Sequence, residues 1–264
     1  MPIECSIEFP QVSEKQMREI DYRVMAQAFA VHNELGRLCD EFVYKNVLRQ
    51  FLVRAGFEVH IELPILLTFG RFAKTLYIDT VINSSVPYEL KVTKRLSSEH
   101  ESQLLFYMLL VHARRGKLIN FRSDSVESRF VNATLTREER YRYRVVSDDW
   151  TGSSDFKALA ESLFADWGTS LSVALYTEAI TENLNGESLV IRQVPMNLHG
   201  QSIGQQRFHF AATRTAFQIT AFNHDDVFRQ HCHLQKLITP AEIDELYWIN
   251  VSRHEVTFRT VRRS

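Results

Sequence analysis

The sequence predicts a mixed α/β protein, with central sheets flanked by helices, in which one architecture occurs twice in tandem. Three observations lead there. Apolar residues recur every three or four positions over residues 16–35 and again over 42–52, the period of a helix with one buried face. Short apolar and β-branched runs then alternate with one further helical stretch, the pattern of a sheet crossed by a helix. Finally, landmark residues of the first half return in the second: Gly36 and Tyr44 are eight apart, as are Gly168 and Tyr176.

In the first half, Met17, Ile20, Val24, Met25, Ala28, Phe29 and Val31 place a helix over Gln16 to Leu35, stopped by Gly36. Phe42, Val43, Val47, Leu48, Phe51 and Leu52 form the face of a second helix, stopped by Gly56. Strands follow at Val59 to Leu67, interrupted by Pro64 and so at an edge or bulged, and at Thr75 to Asn83 and Val86 to Thr93 around a turn at Ser84-Ser85. Ser98 to Ala113 reads as a helix ended by Gly116, before strands at Lys117 to Phe121 and Arg129 to Leu135. Arg137 to Arg144, REERYRYR, alternates basic and aromatic residues and reads as an exposed strand, with single-strand stacking as the other reading. Ser147 to Ser154 is polar and is taken as a linker, so residues 1–146 and 155–264 are the expected domains.

Composition narrows the function classes. Hydrophobic residues at 45% and charged residues at 24% are ordinary for a globular chain with a real core. No apolar run is long enough for a membrane helix, and the first residues lack the basic and apolar segments of a leader. Cys5, Cys39 and Cys232 are odd in number and scattered, which fits a reducing compartment, so a cytoplasmic location is expected. The net charge of -1 provides no global basic field, and any binding of phosphates must be local.

The stretch Tyr77 to Tyr107 carries the chemistry-bearing residues. Glu89 and Lys91 are two apart on one strand and leave the same face. Asp79, on the hairpin partner, is placed beside them. Paired carboxylates offer the oxygen donors that Mg²⁺ prefers, and a bound cation polarises a phosphoryl oxygen. An adjacent lysine can stabilise the charge that develops there. A cross-strand ion pair on a solvated hairpin uses the same residue types.

The blocks Val31 to Gly36, Glu41-Phe42-Val43-Tyr44, Asp79, Glu89-Leu90-Lys91, Gln103 to Tyr107 and Leu118 to Phe121 occur in an order that resembles the GxxExxY family of the PD-(D/E)xK nuclease superfamily. The resemblance implies a metal-dependent nuclease fold. By it, Asp79 and Glu89, with Glu41 ahead of them, are metal carboxylates. Lys91 is the catalytic lysine, and Gln103 is a polar residue on the following helix that faces the site. It implies Mg²⁺ or Mn²⁺ as cofactor, and nucleic acid, DNA first, as partner. Tyr44 and Tyr107 are read as packing residues. The family's glycine three residues before the glutamate is Leu38 here. Arg71, Lys74, Lys94, Arg95, Arg114 and Arg115 are candidate phosphate contacts around this site.

In the second half, Gly168, Tyr176, Gly186, Pro195, Gly200 and Asn250 stand for Gly36, Tyr44, Gly56, Pro64, Gly70 and Asn120. In this register Glu41 becomes Val173, Asp79 becomes His209, Glu89 becomes Gln218, Lys91 becomes Thr220, and Gln103 falls opposite His233. The second copy is therefore expected to lack catalysis. Its histidines, His199, His209, His224, His231, His233 and His254, invite a zinc reading. His231-Cys232-His233 are too close on one helix to share a metal, so core or surface histidines are expected. The expected whole is a pseudo-dimer within one chain, a phosphodiester hydrolase with one centre. The competing class is a nucleic-acid- or protein-binding scaffold without turnover.

Overall fold

The computed structural model describes residues 2–223 and 226–263. The chain divides into two compact units. One comprises Ile3–Leu67 and Lys74–Arg137, and the other Thr68–Ala73 with the chain from Glu138 onward.

The first unit runs β1 (Ile3–Cys5), α1 (Glu14–Leu35), α2 (Glu41–Arg54), β2 (Val59–Phe69), β3 (Phe72–Ile82), β4 (Val86–Lys91), α3 (Ser98–Leu110), β5 (Arg115–Asn120) and β6 (Glu127–Asn132). The strands lie in sequence order in one sheet of six. β4 and β5 run parallel, with α3 as the crossover, while β4 is antiparallel to β3 and β5 to β6. Ser13 begins α1 through a capping box, its hydroxyl accepting from Gln16 N while the Gln16 side chain accepts from Ser13 N. Val24, Val31, Leu48 and Leu52 from α1 and α2 then bury against Tyr88, Leu90 and Phe121. All but the last residue of β4 is buried, as expected of a strand covered on both faces. That strand carries Glu89.

Several boundaries differ from the sequence expectation for physical reasons. β2 continues through Pro64, because β1 pairs only with Ile65 to Leu67 and asks no amide of the proline. The irregular backbone falls instead at Glu62, whose φ is 50°. The β3–β4 turn is centred on Asn83 and Ser84, both at positive φ, with Ser85 N donating to Ile82 O. α3 stops at Leu110, and Gly116 belongs to β5. A Cβ on Gly116 would sit 2.9 Å from Met108 Sδ and 3.0 Å from Pro87 O, so this glycine serves close packing and does not stop a helix.

The second unit repeats the order with α5 (Ser154–Trp167), α6 (Val173–Asn183), β8 (Ile191–Leu198), β9 (Gln201–Ala212), β10 (Thr215–Thr220), α8 (Val227–Ile238), β11 (Glu245–Val251) and β12 (Glu255–Arg262). Three short elements are added: α4 (Arg137–Tyr141), β7 (Arg144–Val146) and α7 (Glu187–Val190). Its sheet is ordered β7-β12-β11-β10-β9-β8, and β10 and β11 are parallel around α8. Two mixed sheets flanked by helices are what a tandem duplication requires. Local bonds repeat too. Tyr44 Oη donates to Gly36 O at 2.6 Å and accepts from Cys39 N, and Tyr176 Oη donates to Gly168 O at 2.6 Å and accepts from Leu171 N. Asn120 bonds both backbone groups of Thr93, as Asn250 bonds both of Phe222.

Arg137 to Arg144 is no exposed strand. Its first five residues are α4, and Arg140 is fully buried, donating to Trp167 O and Thr169 O. The guanidinium thereby satisfies backbone carbonyls at and just beyond the end of α5. The residues expected to be a linker are also packed: Trp150 lies against Phe156, Tyr247 and Phe258. The two units divide at Arg137/Glu138, ahead of that stretch. Replacing Arg140 with Met orphans those carbonyls, and we expect a loss of about 2 kcal/mol of stability, measured by urea denaturation.

Candidate active site

β4 ends with Glu89 and Lys91 on one face. Thr80 pairs with Tyr88, which sets Asp79 of β3 beside Glu89. Lys91 Nζ donates to Glu89 Oε1 at 2.7 Å, and the Glu89 side chain is only 3% exposed. Asp79 Oδ2 accepts from Leu90 N. Glu41, the first residue of α2, joins the cluster electrostatically: burial raises its pKa, Lys91 lowers it, and Asp79 raises it again. Asp79, Glu89 and Lys91 are therefore brought together as their spacing predicted, and Glu41, expected from the resemblance, interacts with Lys91 and Asp79.

Two members were missed from the sequence. Lys45, buried on α2, donates to Asp79 Oδ1 at 2.7 Å and lies 3.5 Å from Glu62 Oε1. Glu62 stands at a positive φ within β2. The available signal for Lys45 was its position one helical turn after Glu41 and next to Tyr44, which puts a lysine on a face otherwise expected to be apolar. Burial pulls the Lys45 pKa down, but Asp79, Glu62 and Glu41 outweigh it and the pKa is raised. Lys91 is likewise raised by its carboxylate neighbours against burial.

Other expected members fall elsewhere. Gln103 is exposed on α3, and no bond among the described residues joins it to the carboxylates. Arg115 donates to Val12 O and opens β5, with Arg114 just before it, at the end of the β4–β5 pair opposite Lys91. Arg71 belongs to the second unit, where its backbone amide and guanidinium bond Asn183 and Asn185. Lys94 and Arg95 remain, exposed three and four residues beyond Lys91. Lys74 is half-buried in β3.

No set of three or more His, Cys, Asp or Glu side chains forms a ready metal cage among the described residues. The carboxylates instead surround two ammonium groups. One atom stands out: Glu89 Oε2 is buried and has no hydrogen-bond partner among the described residues. Burial first, then Asp79, drives the Glu89 pKa up from 4.5 to about 7, against the pull of Lys91. An orphaned carboxylate oxygen beside two further carboxylates fits a hard divalent cation, which takes oxygen donors and relieves like-charge repulsion.

The second unit allows a register check. Lys91 pairs with Asn120, and Thr220 pairs with Asn250, which confirms Gln218 and Thr220 opposite Glu89 and Lys91. His209 pairs with Phe217 as Thr80 pairs with Tyr88, so the counterpart of Asp79 is Phe208, one residue from the expected His209. Val173 opens α6 as Glu41 opens α2. Trp248 Nε1 donates to Thr220 Oγ1, which donates to Asn250 Oδ1, a neutral network where the first unit has Lys91. The described histidines form no metal group, and His224 lies outside the described residues.

Residues 18–131, less than half of the chain, match the family model of the PD-(D/E)XK nuclease superfamily. The matched segment contains every residue of the cluster. No curated protein matches the chain. A solved structure titled "Crystal structure of SSO0001" is similar at 20% identity over 47% of this chain and 62% of that one, under two thirds of its length, with a TM-score of 0.30. That likeness is too slight to bear on the fold.

Proposed function

We propose, from a segment whose sequence matches the PD-(D/E)XK nuclease superfamily, that this protein is a divalent-metal-dependent nuclease with one active centre per chain. The observation that carries the reading is Glu89, a buried carboxylate with one unpartnered oxygen, beside Asp79, Glu41 and Lys91. Asp79, Glu89 and Glu41 would hold Mg²⁺ or Mn²⁺. A bound cation supplies charge neutralisation at the phosphoryl oxygen and a more acidic water. Lys91 places a fixed ammonium where negative charge develops on the phosphate, and burial removes competing water. Lys45 positions Asp79 by holding its Oδ1. Lys94 and Arg95 supply local phosphate contacts on a chain with no global basic field. DNA is the first substrate to test, and the second unit is a degenerate copy without turnover.

A panel of single-stranded, duplex, flap and junction DNA and RNA, with Mg²⁺ or Mn²⁺, tests this. We expect nicks or single-strand cuts from monomeric protein. Clean double-strand breaks by a monomer would overturn the single centre. We also expect a divalent cation to raise the unfolding temperature, by about 2.7 kcal/mol of stability at a hundredfold excess over Kd. Calorimetry should show that gain lost in Asp79→Ala.

One observation favours a binding scaffold without turnover: the Lys45 ammonium already satisfies Asp79. A protein that binds nucleic acid, ignores divalent cations and cleaves nothing in the panel would establish that reading.

A further inference from the structure

The second unit keeps a cavity of about 270 Å³ over the middle of β9 and β10, lined among others by Thr177, Arg207, Phe208, His209 and Gln218. Its position is informative. Phe208 and Gln218 occupy the places that Asp79 and Glu89 hold in the first unit. Thr177 follows Tyr176 as Lys45 follows Tyr44. The cavity therefore lies where the first unit has its charged cluster, but its chemistry is reversed. No carboxylate lines it, and a guanidinium has been added.

The donors there are available. Among the described residues neither the Arg207 guanidinium nor the Gln218 amide has a hydrogen-bond or ion-pair partner. Thr177 is engaged with Val173 O, and His209 Nδ1 lies 3.1 Å from Thr181 Oγ1. Burial, then Arg207, keeps the His209 pKa low, so its ring is neutral at pH 7. Glu187 is the carboxylate that acts on His209 in the other direction, from outside the cavity lining. A carboxylate cluster repels a phosphodiester unless a cation is bound. An arginine beside a free side-chain amide attracts one without a cation, and the cavity lacks the lysine and carboxylates needed to cleave it.

We infer that this cavity is a phosphodiester-binding site, holding a nucleic-acid strand without hydrolysing it. The inference rests on the reading of the first unit as acting on nucleic acid. The duplicated scaffold then contributes one cutting position and one holding position, each at the same place in its own sheet.

The test is binding of a fluorescein-labelled short oligothymidylate by anisotropy in EDTA, with full-length protein. EDTA removes cation-dependent binding at the first unit and stops cleavage. The wild type should bind, and Arg207→Glu, which reverses a charge, and Gln218→Glu, which adds a repelling carboxylate, should each weaken Kd by about tenfold. Arg207→Gln, which removes the charge alone, should lower the salt slope by about 0.7. Circular dichroism would verify folding, which these substitutions at an exposed and a half-buried side chain should not disturb. No binding by the wild type in EDTA, or both glutamate variants binding within about twofold of it, would overturn the site. Cleavage by wild type against Lys91→Ala judges the nuclease reading separately. Binding without cleavage would leave this site standing alone, and Lys91-dependent cleavage with wild-type binding by both variants would remove only this site.

Discussion

Lys91→Ala should lower the single-turnover cleavage rate by about 10³-fold while leaving the affinity for uncleaved strand in EDTA intact. Among the described residues Lys91 is the one cation paired with Glu89, and its ammonium is held by that bond at 2.7 Å in a buried setting. Preorganisation is what makes its loss expensive, because water cannot supply an oriented positive charge in its place. Lys91→Arg should recover little, since a planar fork does not fit a site built for a compact ammonium. A rate unchanged in Lys91→Ala would place the chemistry elsewhere. The comparison needs saturating substrate, so that a change in binding is not read as a change in rate.

Glu89→Gln should abolish cleavage and stabilise the metal-free protein at pH 8 by as much as about 3 kcal/mol. The sign follows from the direction of the shift. The folded carboxyl keeps its proton to about pH 7, whereas an ordinary one releases it near 4.5. Between those values the folded state binds more protons than the unfolded, so stability falls as pH rises. Above about 7 the full cost of the buried charge is present, and glutamine does not carry it. Denaturant midpoints of wild type and Glu89→Gln should therefore coincide near pH 4.5 and separate progressively toward pH 8. Saturating Mg²⁺ should close the gap by stabilising only the wild type. Parallel pH curves for the two proteins would contradict this account. Such a gain in stability on losing a functional group is the signature of a site strained for its task.

The helix pair, the strand order and the crossover helix were legible because hydrophobic periodicity encodes them and because the second half repeats them. The landmark residues gave the register correctly at Gln218 and Thr220, which a parallel ladder anchors on Asn250. The counterpart of Asp79 was misassigned by one residue, to His209 in place of Phe208, because β9 and β10 shift register between Thr215 and Ala216, and no sequence signal marks that shift. Glu41, Asp79, Glu89 and Lys91 were legible from spacing and order. Lys45 and Glu62 were not: one looked like an interruption of an apolar face, and the other depends on a backbone conformation uncommon for glutamate. Arg114 and Arg115 looked close to the site in sequence, but a parallel crossover returns the chain to the far end of the neighbouring strand. The Arg137 to Arg144 alternation was misleading because Arg140 is buried by a helix end that the sequence places almost thirty residues later. A charged residue with a distant carbonyl partner resembles a surface residue in any local reading.

The three tryptophans have a spectroscopic consequence. Trp150, Trp167 and Trp248 all fall in the unit that lacks the carboxylate cluster, and Trp167 and Trp248 are almost completely buried. Intrinsic indole emission will therefore report on that half of the polypeptide and remain dark to cation loading or loosening around Glu89. Far-ultraviolet dichroism samples both halves, so a lag between the two signals during denaturation would give the separate melting of each without any label. A single tryptophan introduced at exposed Phe42, beside Glu41, would light the otherwise silent half.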